Sequence, residues 1–439
     1  MTAADVDCDI AIVGGGLVGA PLALALARAG FSVVLLDQSM TSAPQQDDPL
    51  EQRCTALSAG SVAWFEQQAL WSAIADDACP IRSVHVSCRG RFGATRLRAD
   101  EQGVAALGYV IDNRVALRQL DALLDASPVK RLPGHTMTGL DIESDRVTVQ
   151  HRASDSPQGK PIQGKPIRGK PVRAKLLIGV DGVRSTVRDA LGIGVREVDY
   201  EQSAILGTLA LSGSHENVAY ERFTDGGPLA LLPRPADRVS VVECVTSEEA
   251  TRLTALDGTG YRHHLQARFG HRLGRFVDCG PRTTLSLTRI EATEQIGPRS
   301  VLLGNAARLL HPVAGQGYNL ALRDVAALLT RLVAGVSSGV SPGVANGVAN
   351  GARIDPGSPE LLHEFVRSRR VDQQRTVTLT DTLARTFRGE NMLLSHARAL
   401  ALLGLDTVSP WRRRFASVAM GLGGEPGGSV HSGHSSSNG

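Results

Sequence analysis

The stretch Asp9-Ile10-Ala11-Ile12-Val13-Gly14-Gly15-Gly16-Leu17-Val18-Gly19, with Val33-Val34-Leu35-Leu36-Asp37 after it, decides the fold. Its order is apolar run, glycine turn, helical pattern, second apolar run, acid. That is the strand, turn, helix and strand of a dinucleotide-binding unit, with the glycines spaced G-x-G-x-x-G. Gly14 permits the tight turn, Gly16 lets a pyrophosphate come up to the backbone, and Gly19 brings the helix close to the sheet. Free amides at the start of the helix then face the phosphates. Asp37 closes the second run about 20 residues on, where a carboxylate takes ribose hydroxyls and disfavours an extra 2′-phosphate. The residues therefore point to FAD or NAD. A bare glycine motif also suits a packing turn at a strand-helix junction; the strand, helix and acid around this one argue for the nucleotide.

At 439 residues the chain exceeds one ordinary domain, and 42% hydrophobic with 21% charged residues builds a sizeable core. A net charge of +3, without aromatic residues interleaved among basic ones, gives no case for nucleic acid as a partner. Cys8, Cys54, Cys79, Cys88, Cys244 and Cys279 form no C-x-x-C, so neither a zinc site nor a disulfide framework is expected. Reduced, packed thiols in a cytoplasmic protein are the simplest reading. No basic segment followed by an apolar one opens the chain, so no secretory signal is expected. No apolar run reaches the roughly 18 residues of a bilayer span, which leaves only peripheral attachment at the inner face of a membrane.

Further along, a polar loop runs from Ser39 to Glu51, and helical spacing covers Ala59 to Leu70 and Val110 to Leu124. Arg146 to Gln150 and Lys175 to Val180 read as strands. Between them Gly-Lys-Pro recurs every fifth residue from Gly159 to Arg173. Proline at that interval denies a sheet its donors, so an extended, solvated insertion is expected; its Lys and Arg could touch anionic lipid, but a solvated loop is the simpler reading. Ile205–Leu211, Leu229–Leu232, Val239–Val245 and Thr283–Thr288 suggest a mostly antiparallel sheet, with a helix near Glu248 to Phe269. A strand at Ser300–Leu303 leads into a helix from Asn319 to Leu332. Gly335 to Gly351 is a second repeat and reads as a linker. Ser358 then suits an N-cap, with Pro359 at the first helical position and helical pattern to Met420. The Gly/Ser-rich tail from Gly421 is expected to be disordered, which makes His431 and His434 poor metal ligands; no metal is expected.

Two more motifs narrow the chemistry. In the segment Leu177 to Arg188 an apolar strand breaks at Asp181-Gly182 and runs into a helix with Ser185 near its start. The second is Val301-Leu302-Leu303-Gly304-Asn305-Ala306-Ala307-Arg308-Leu309-Leu310-His311-Pro312-Val313-Ala314-Gly315-Gln316-Gly317-Tyr318-Asn319. With the first glycine motif, and in this order, they resemble the signatures of the FAD-dependent aromatic hydroxylases of the para-hydroxybenzoate hydroxylase type. Within that family the chain most resembles the ubiquinone-biosynthesis branch, in its 2-octaprenyl-6-methoxyphenol hydroxylase group. That likeness rests on residues 304–320, Arg53-Cys54-Thr55-Ala56-Leu57-Ser58-Ala59-Gly60-Ser61, Asp112-Asn113-Arg114 and Ala419-Met420-Gly421-Leu422-Gly423-Gly424.

Pattern and resemblance together give an α/β fold, a Rossmann-like FAD-binding domain interleaved with a mostly antiparallel β-sheet substrate domain, plus C-terminal helices. The FAD-binding part takes 1-80, 105-190 and 285-334, with the insertion at 156-174; the substrate domain takes 81-104 and 191-284. A linker (335-355), a helical segment (356-420) and a disordered tail (421-439) follow. The resemblance implies that Gly14, Gly16, Gly19, Asp37, Arg53, Asn113, Arg114, Asp181, Gly182, Gly304, Asn305, Pro312, Gly315, Gln316, Gly317 and Asn319 lie along FAD, with Arg184 towards the pyridine nucleotide. It also implies NAD(P)H as transient reductant, dioxygen, and a hydrophobic phenolic substrate, a polyprenylated ubiquinone precursor of the 2-polyprenyl-6-methoxyphenol type, oxygenated through a flavin hydroperoxide. Association with a membrane surface or a quinone-biosynthesis complex stays open.

Some residues depart from the family pattern. Most relatives have Gly-Asp where this chain has Gly304-Asn305; Asn keeps an acceptor, loses the charge and adds a donor, so FAD binding is expected to survive. His is frequent where Arg308 stands, and no proton transfer is assigned to Arg308 or His311; His311 reads as a packing or hydrogen-bonding residue, and no catalytic residue is identified. Gly315 and Gly317 allow backbone to lie against a flat ring, and the helix beyond turns its positive end towards the charge of a reduced flavin, although an ordinary glycine turn has the same spelling. Asp181 and Arg184 would also suit a strand-end turn with a surface arginine, and the apolar strands Ile205–Leu211 and Leu229–Pro233 read equally as cavity walls and as sheet core. The lack of a second glycine fingerprint and of a redox cysteine pair argues against a disulfide reductase. An FAD-dependent reductase or dehydrogenase on the same fold, and a catalytically silent flavin-binding subunit of a quinone-biosynthesis complex, are the rival readings.

Overall fold

The computed structural model describes residues 6–39, 53–90, 94–153, 169–224, 226–337, 355–386 and 420. Parallel strands build its first layer, in the order Ser300–Leu302, Val172–Gly179, Val6–Val13, Val33–Asp37, Lys130–Pro133. The hairpin of His135–Ile142 and Val147–Ala153 joins this sheet antiparallel through Val172–Gly179. Both faces are covered, so alternate residues feed two cores, and the strands read as unbroken apolar runs. Ile10, Ile12 and Ile178 pack beneath the helices Gly19–Arg28, Asn113–Asp125 and Gln316–Ser337, whereas Ala11, Val13 and Leu177 pack with Met137, Val147 and Val149 of the hairpin.

The second layer is a sheet in the order Arg308–Leu309, Thr283–Ala292, Val195–Leu211, Arg238–Thr246, Gly227–Arg234, Val218–Thr224, Ser83–Cys88, Ala94–Arg98. It is antiparallel except where Val218–Thr224 runs alongside Ser83–Cys88. One face, with Ile205, Leu209, Leu229, Leu231 and Val241, is sealed by the helices Ser247–Thr254 and Gly258–Phe269. The other face turns inward. A small sheet of Cys54–Ser58, Gly108–Asp112 and Cys79–Ile81 packs against it, with Ile81 and Val110 meeting Ala219 and Leu232.

Several expectations need correction. The helical pattern at Val110–Leu124 begins as strand: Gly108–Asp112 pairs with Cys54–Ser58, and the Asp112 carboxylate then accepts the Arg114 amide to cap the helix Asn113–Asp125. Alternation at Tyr109-Val110-Ile111 blends into the helical spacing, which hides the join. The expected single helix over Glu248–Phe269 is two, because Asp257 caps a second start. The Gly-Lys-Pro insertion ends earlier than its repeat: Val172 is fully buried in the sheet between Val6 and Val149, while Pro171 sits just outside, where it need only accept from the Val6 amide. The boundary drawn at 285 falls inside the strand Thr283–Ala292. Residues 156–168, 338–354, 387–419 and 421–439 lie outside the described residues, as does most of the Ser39–Glu51 loop. Among the described residues no helix is long and apolar enough to cross a membrane. All six cysteines are free thiols.

The helix Pro359–Thr386 starts where expected, with Ser358 Oγ accepting the Leu361 amide at 3.4 Å. A buried polar cluster clamps it to Gln316–Ser337. Asp324, 2% exposed, accepts from Arg369 Nε at 2.6 Å and Gln373 Nε2 at 3.0 Å. Arg308 stands 3.8 Å from the same carboxylate. Removing one partner of such a cluster leaves a charge buried without compensation. Asp324→Ala is therefore expected to lower stability by about 3–5 kcal/mol in urea unfolding, whereas Arg331→Ala, which breaks the more exposed pair with Glu364, should cost less than about 1 kcal/mol; equal losses would contradict the assignment.

Candidate functional site

The first glycine turn is gripped on two sides and open on a third. A Cβ on Gly14, whose φ is +110°, would lie 2.5 Å from the Val180 carbonyl oxygen, and one on Gly19 would overlap the Gly14 carbonyl. At Gly16 nothing stands within 4 Å of the Cβ position. The helix Gly19–Arg28 has no side-chain cap and no acid in its first turn, which leaves its leading amides to an anionic ligand. Asp37 folds over Gly15 and accepts the Ser39 amide at 2.9 Å. Burial raises its pKa, against the pull of the Ser39 and Gly15 amides.

The second turn is tied to the first by the Val180 amide, which donates to Val13 O at 2.9 Å. The Asp181 carboxylate is largely consumed by its own loop. It accepts from Thr186 N (2.7 Å), Thr186 Oγ1 (2.9 Å), Val187 N (3.2 Å) and the Ser185 hydroxyl, and so organises the start of the short helix Thr186–Ala190. Gly182 turns with open space beside it, and Arg184 is exposed. Sequence reasoning passed over Arg188. It is 6% exposed and donates to Ala306 O at 3.2 Å and Val183 O at 3.0 Å, joining the second turn to the third.

The third turn closes the crevice. The Leu303 amide donates to Gly179 O at 2.9 Å, and a Cβ on Gly304 would touch Val18 at 3.4 Å. Tyr318, also passed over, donates its hydroxyl to Leu17 O at 2.8 Å across 301 residues. Asn305 is exposed. The Cβ position of Gly315 lies 3.8 Å from Ala56 Cβ, Gln316 donates to Ala314 O, and Gly317 opens onto free space. The turns at Gly16, Gly182 and Gly304–Gly317 thus share one crevice at the carboxyl ends of the parallel strands, where open α/β sheets bind ligands.

The Asn319 side chain, expected along the cofactor, is taken up by contacts within the protein. Its Oδ1 accepts from Ser58 N (2.8 Å) and Ser61 Oγ (2.7 Å), and its Nδ2 donates to Ala56 O and Gly315 O (both 2.9 Å). An amide with two donors and two acceptor sites has no capacity left, so this side chain holds the protein together and not a ligand. Arg53 and Asn113 stand side by side at the rim of the small sheet: Asn113 N donates to Arg53 O at 3.1 Å, and Asn113 Oδ1 accepts from Thr55 Oγ1 at 2.6 Å. Arg53 Nε is buried without a hydrogen-bond partner among the described residues, whereas Arg114 is exposed. An orphaned guanidinium nitrogen, an uncapped helix and open glycines fit a polar dinucleotide laid along the crevice.

Pro312 leads into the third turn, and His311 before it is 2% exposed. Its Nδ1 accepts the Val313 amide at 3.2 Å, and its ring stands edge-on to Tyr200 at 5.0 Å. Burial pushes its pKa down to about 4, so it is neutral at ordinary pH. Facing this turn is the inward side of the antiparallel sheet, where register sets Leu206, Val242, Ala230, Glu221 and Val86 in one row. These side chains are half-buried, while Ile205, Leu229 and Leu231 on the sealed face are 0% exposed.

A family model described as FAD binding domain matches residues 7–342. The chain is 36% identical over 427 residues to ubiquinone hydroxylase UbiL of Rhodospirillum rubrum, covering 96% of this chain and 92% of that protein. It is 32% identical to 3-demethoxyubiquinol 3-hydroxylase of Escherichia coli, over 74% of this chain and 79% of that one. Among solved structures, p-nitrophenol 4-monooxygenase PnpA from Pseudomonas putida superposes with a TM-score of 0.72 at 19% identity, covering 95% of this chain and 99% of that one.

His311 gives a pH prediction. It protonates near 6.5 in an unfolded chain and near 4 when folded, so its contribution to stability is complete above pH 6.5 and is lost as pH falls towards 4. The loss by pH 4 is about 3 kcal/mol. In urea unfolding, His311→Gln should lose less stability between pH 7 and 4.5 than the wild type; an unchanged difference would contradict the burial of a neutral ring.

Proposed function

The chain belongs to the family of FAD-dependent aromatic hydroxylases of ubiquinone biosynthesis, and on that premise we propose that it hydroxylates a polyprenylated phenolic precursor of the 2-polyprenyl-6-methoxyphenol type, using NAD(P)H and dioxygen. The observation that carries the substrate class is the half-buried apolar row Leu206, Val242, Ala230 and Val86 opposite the Val313–Gly315 turn. A sheet that seals one face under helices and leaves an apolar, half-buried row on the other would set a greasy ring against that row beside the cofactor. Bound FAD, once reduced by NAD(P)H, supplies the activation of dioxygen and the transfer of one oxygen atom.

The chain's own residues bind, orient and exclude water. In this reading the amides after Gly16 take the pyrophosphate, Asp37 the adenosine ribose, and Asn305 a ribityl hydroxyl, while the Gly315–Gly317 backbone lies along the ring. Arg53, with its unpaired Nε, and the open Gly182 loop would hold the cofactor as well. Asn305 is exposed, so its lack of charge strands no buried partner. A substrate with a prenyl chain resides in the bilayer, so delivery by peripheral contact with the cytoplasmic face of a membrane, or through a quinone-biosynthesis complex, belongs to the same proposal.

The test supplies purified protein with NADH or NADPH, a 2-alkyl-6-methoxyphenol and labelled dioxygen. One labelled oxygen in the product, with none from labelled water, is the expected result. Substrate oxidised without label would instead establish a dehydrogenase. Gly16→Trp, which fills the open side of the turn, is expected to lose bound FAD and turnover together; a variant that still turns over without FAD would contradict the cofactor's place.

A further inference from the structure

In the apolar wall just described stands one carboxyl. Glu221 belongs to the strand Val218–Thr224, and alternation settles where it points. Ala219, two residues before, packs with Ile81 and Val110 of the small sheet; Phe223, two residues after, packs with Val313 of the third turn. Glu221 therefore points into the gap between the strand that carries Ala56 and the turn that carries Gly315. Its cross-strand neighbours, Ala230 and Val86, are apolar.

No described residue gives Glu221 a hydrogen bond or an ion pair, and burial raises its pKa. The same sheet shows what a structural carboxyl looks like. Glu243, 0% exposed on the sealed face, takes the Tyr261 hydroxyl at 2.8 Å, His264 Nε2 at 2.9 Å and Arg268 Nη1 at 3.2 Å. Polar groups withdrawn from water are paired in folded proteins, so a half-buried carboxyl with no partner among the described residues, set in an apolar row facing the third turn, is left for a partner in the ligand.

We infer that Glu221 meets the ring hydroxyl of the phenolic substrate and takes its proton, presenting the ring as a phenolate; this rests on the function proposed above. The phenolic O–H bond breaks, a new O–H bond forms on the Glu221 carboxylate, and the electron pair stays on the phenolic oxygen. That pair enriches the ring carbons ortho and para to it, which are the positions an electrophilic oxygen attacks. The step is redox-neutral and needs no other reactant. Burial pushes the Glu221 pKa up to about 7, which brings it nearer to a phenol than an ordinary carboxylate would be.

The charged groups of the surrounding elements are paired with one another: Arg234 of the adjoining strand with Asp112 of the small sheet at 2.6 Å, and Arg289 with Glu291 at 3.2 Å and Asp381 at 3.3 Å. Cys244, on the sheet, is held neutral by burial. Cys88 lies in the Phe223 cluster, Arg53 and Cys54 lie on the small sheet, and His311 is neutral. From the C-terminal helix comes Asp381, already engaged by Tyr200 and Arg385.

The experiment follows product and hydrogen peroxide per NAD(P)H between pH 6 and 8.5, with 2-prenyl-6-methoxyphenol and its O-methyl ether as probes. In the wild type, product yield from the phenol should rise with a midpoint near pH 7, and the ether, which has no proton to give, should be poorly oxygenated. FAD-loaded Glu221→Gln should make about 100-fold less product, with a flat profile and peroxide in its place, and Glu221→Asp should recover part of the yield. A Glu221→Gln enzyme with wild-type yield and profile overturns the inference and leaves the hydroxylase reading intact. Should that variant fail to hold FAD, the wild type decides: a flat profile, or equal oxygenation of phenol and ether, overturns it. A wild type that hydroxylates no phenol overturns both.

Discussion

Backbone pressed on backbone at Gly14 is the constraint on which the rest depends. The Val180 carbonyl occupies the space a side chain would need there, and the Gly14 carbonyl fills the corresponding space at Gly19. Neither contact can relax through a rotamer, because both partners are main chain. The strands Val6–Val13 and Val172–Gly179 and the helix Gly19–Arg28 are therefore held at a fixed separation, and their open side at Gly16 is a product of that grip. The turns at Asp181 and Gly304 are then drawn to the same crevice by the Leu303 to Gly179 bond and by Arg188 reaching Ala306. A cofactor site assembled from three distant parts of the chain is a consequence of strand order, not of any single motif.

The second sheet and the helix Pro359–Thr386 pack against the third turn beside that crevice. Helices seal one face of the sheet and satisfy its buried carboxyl, Glu243, completely. The inward face is capped at one end by the helix Pro359–Thr386, whose Leu383 joins Phe223 and Val313 and whose Ala384 joins Tyr200 and Ala204. That helix stays in place through Asp324, Arg369 and Gln373, far from the ring site. Closure of this kind suits chemistry in which water at the reacting atoms wastes reductant.

Much of this was legible in the sequence where a residue's role is steric and local. Gly14 and Gly19 could be read because only glycine fits, and the Ser358 cap because a hydroxyl before a proline-led helix has one common use. Roles set by distant partners were not legible. Asn319 sits inside a cofactor motif, yet its amide is spent on Ser58, Ser61, Ala56 and Gly315. Arg188 and Tyr318 lock turns together through carbonyls more than a hundred residues away, and carbonyls have no sequence signature. Glu221 was hidden for a different reason. The run Val218-Ala219-Tyr220-Glu221-Arg222-Phe223-Thr224 mixes polar and apolar residues on both faces, so alternation marks neither as the cavity side until the register is known.

The most direct measurement is a crystal structure of the FAD-loaded protein. The pyrophosphate should lie on the amides that follow Gly16, the adenosine ribose on Asp37, and the isoalloxazine ring between the Gly315 turn and the row that holds Glu221. Density for the dinucleotide outside the crevice, or a ring turned away from that sheet face with Glu221 paired to another side chain, would contradict the account.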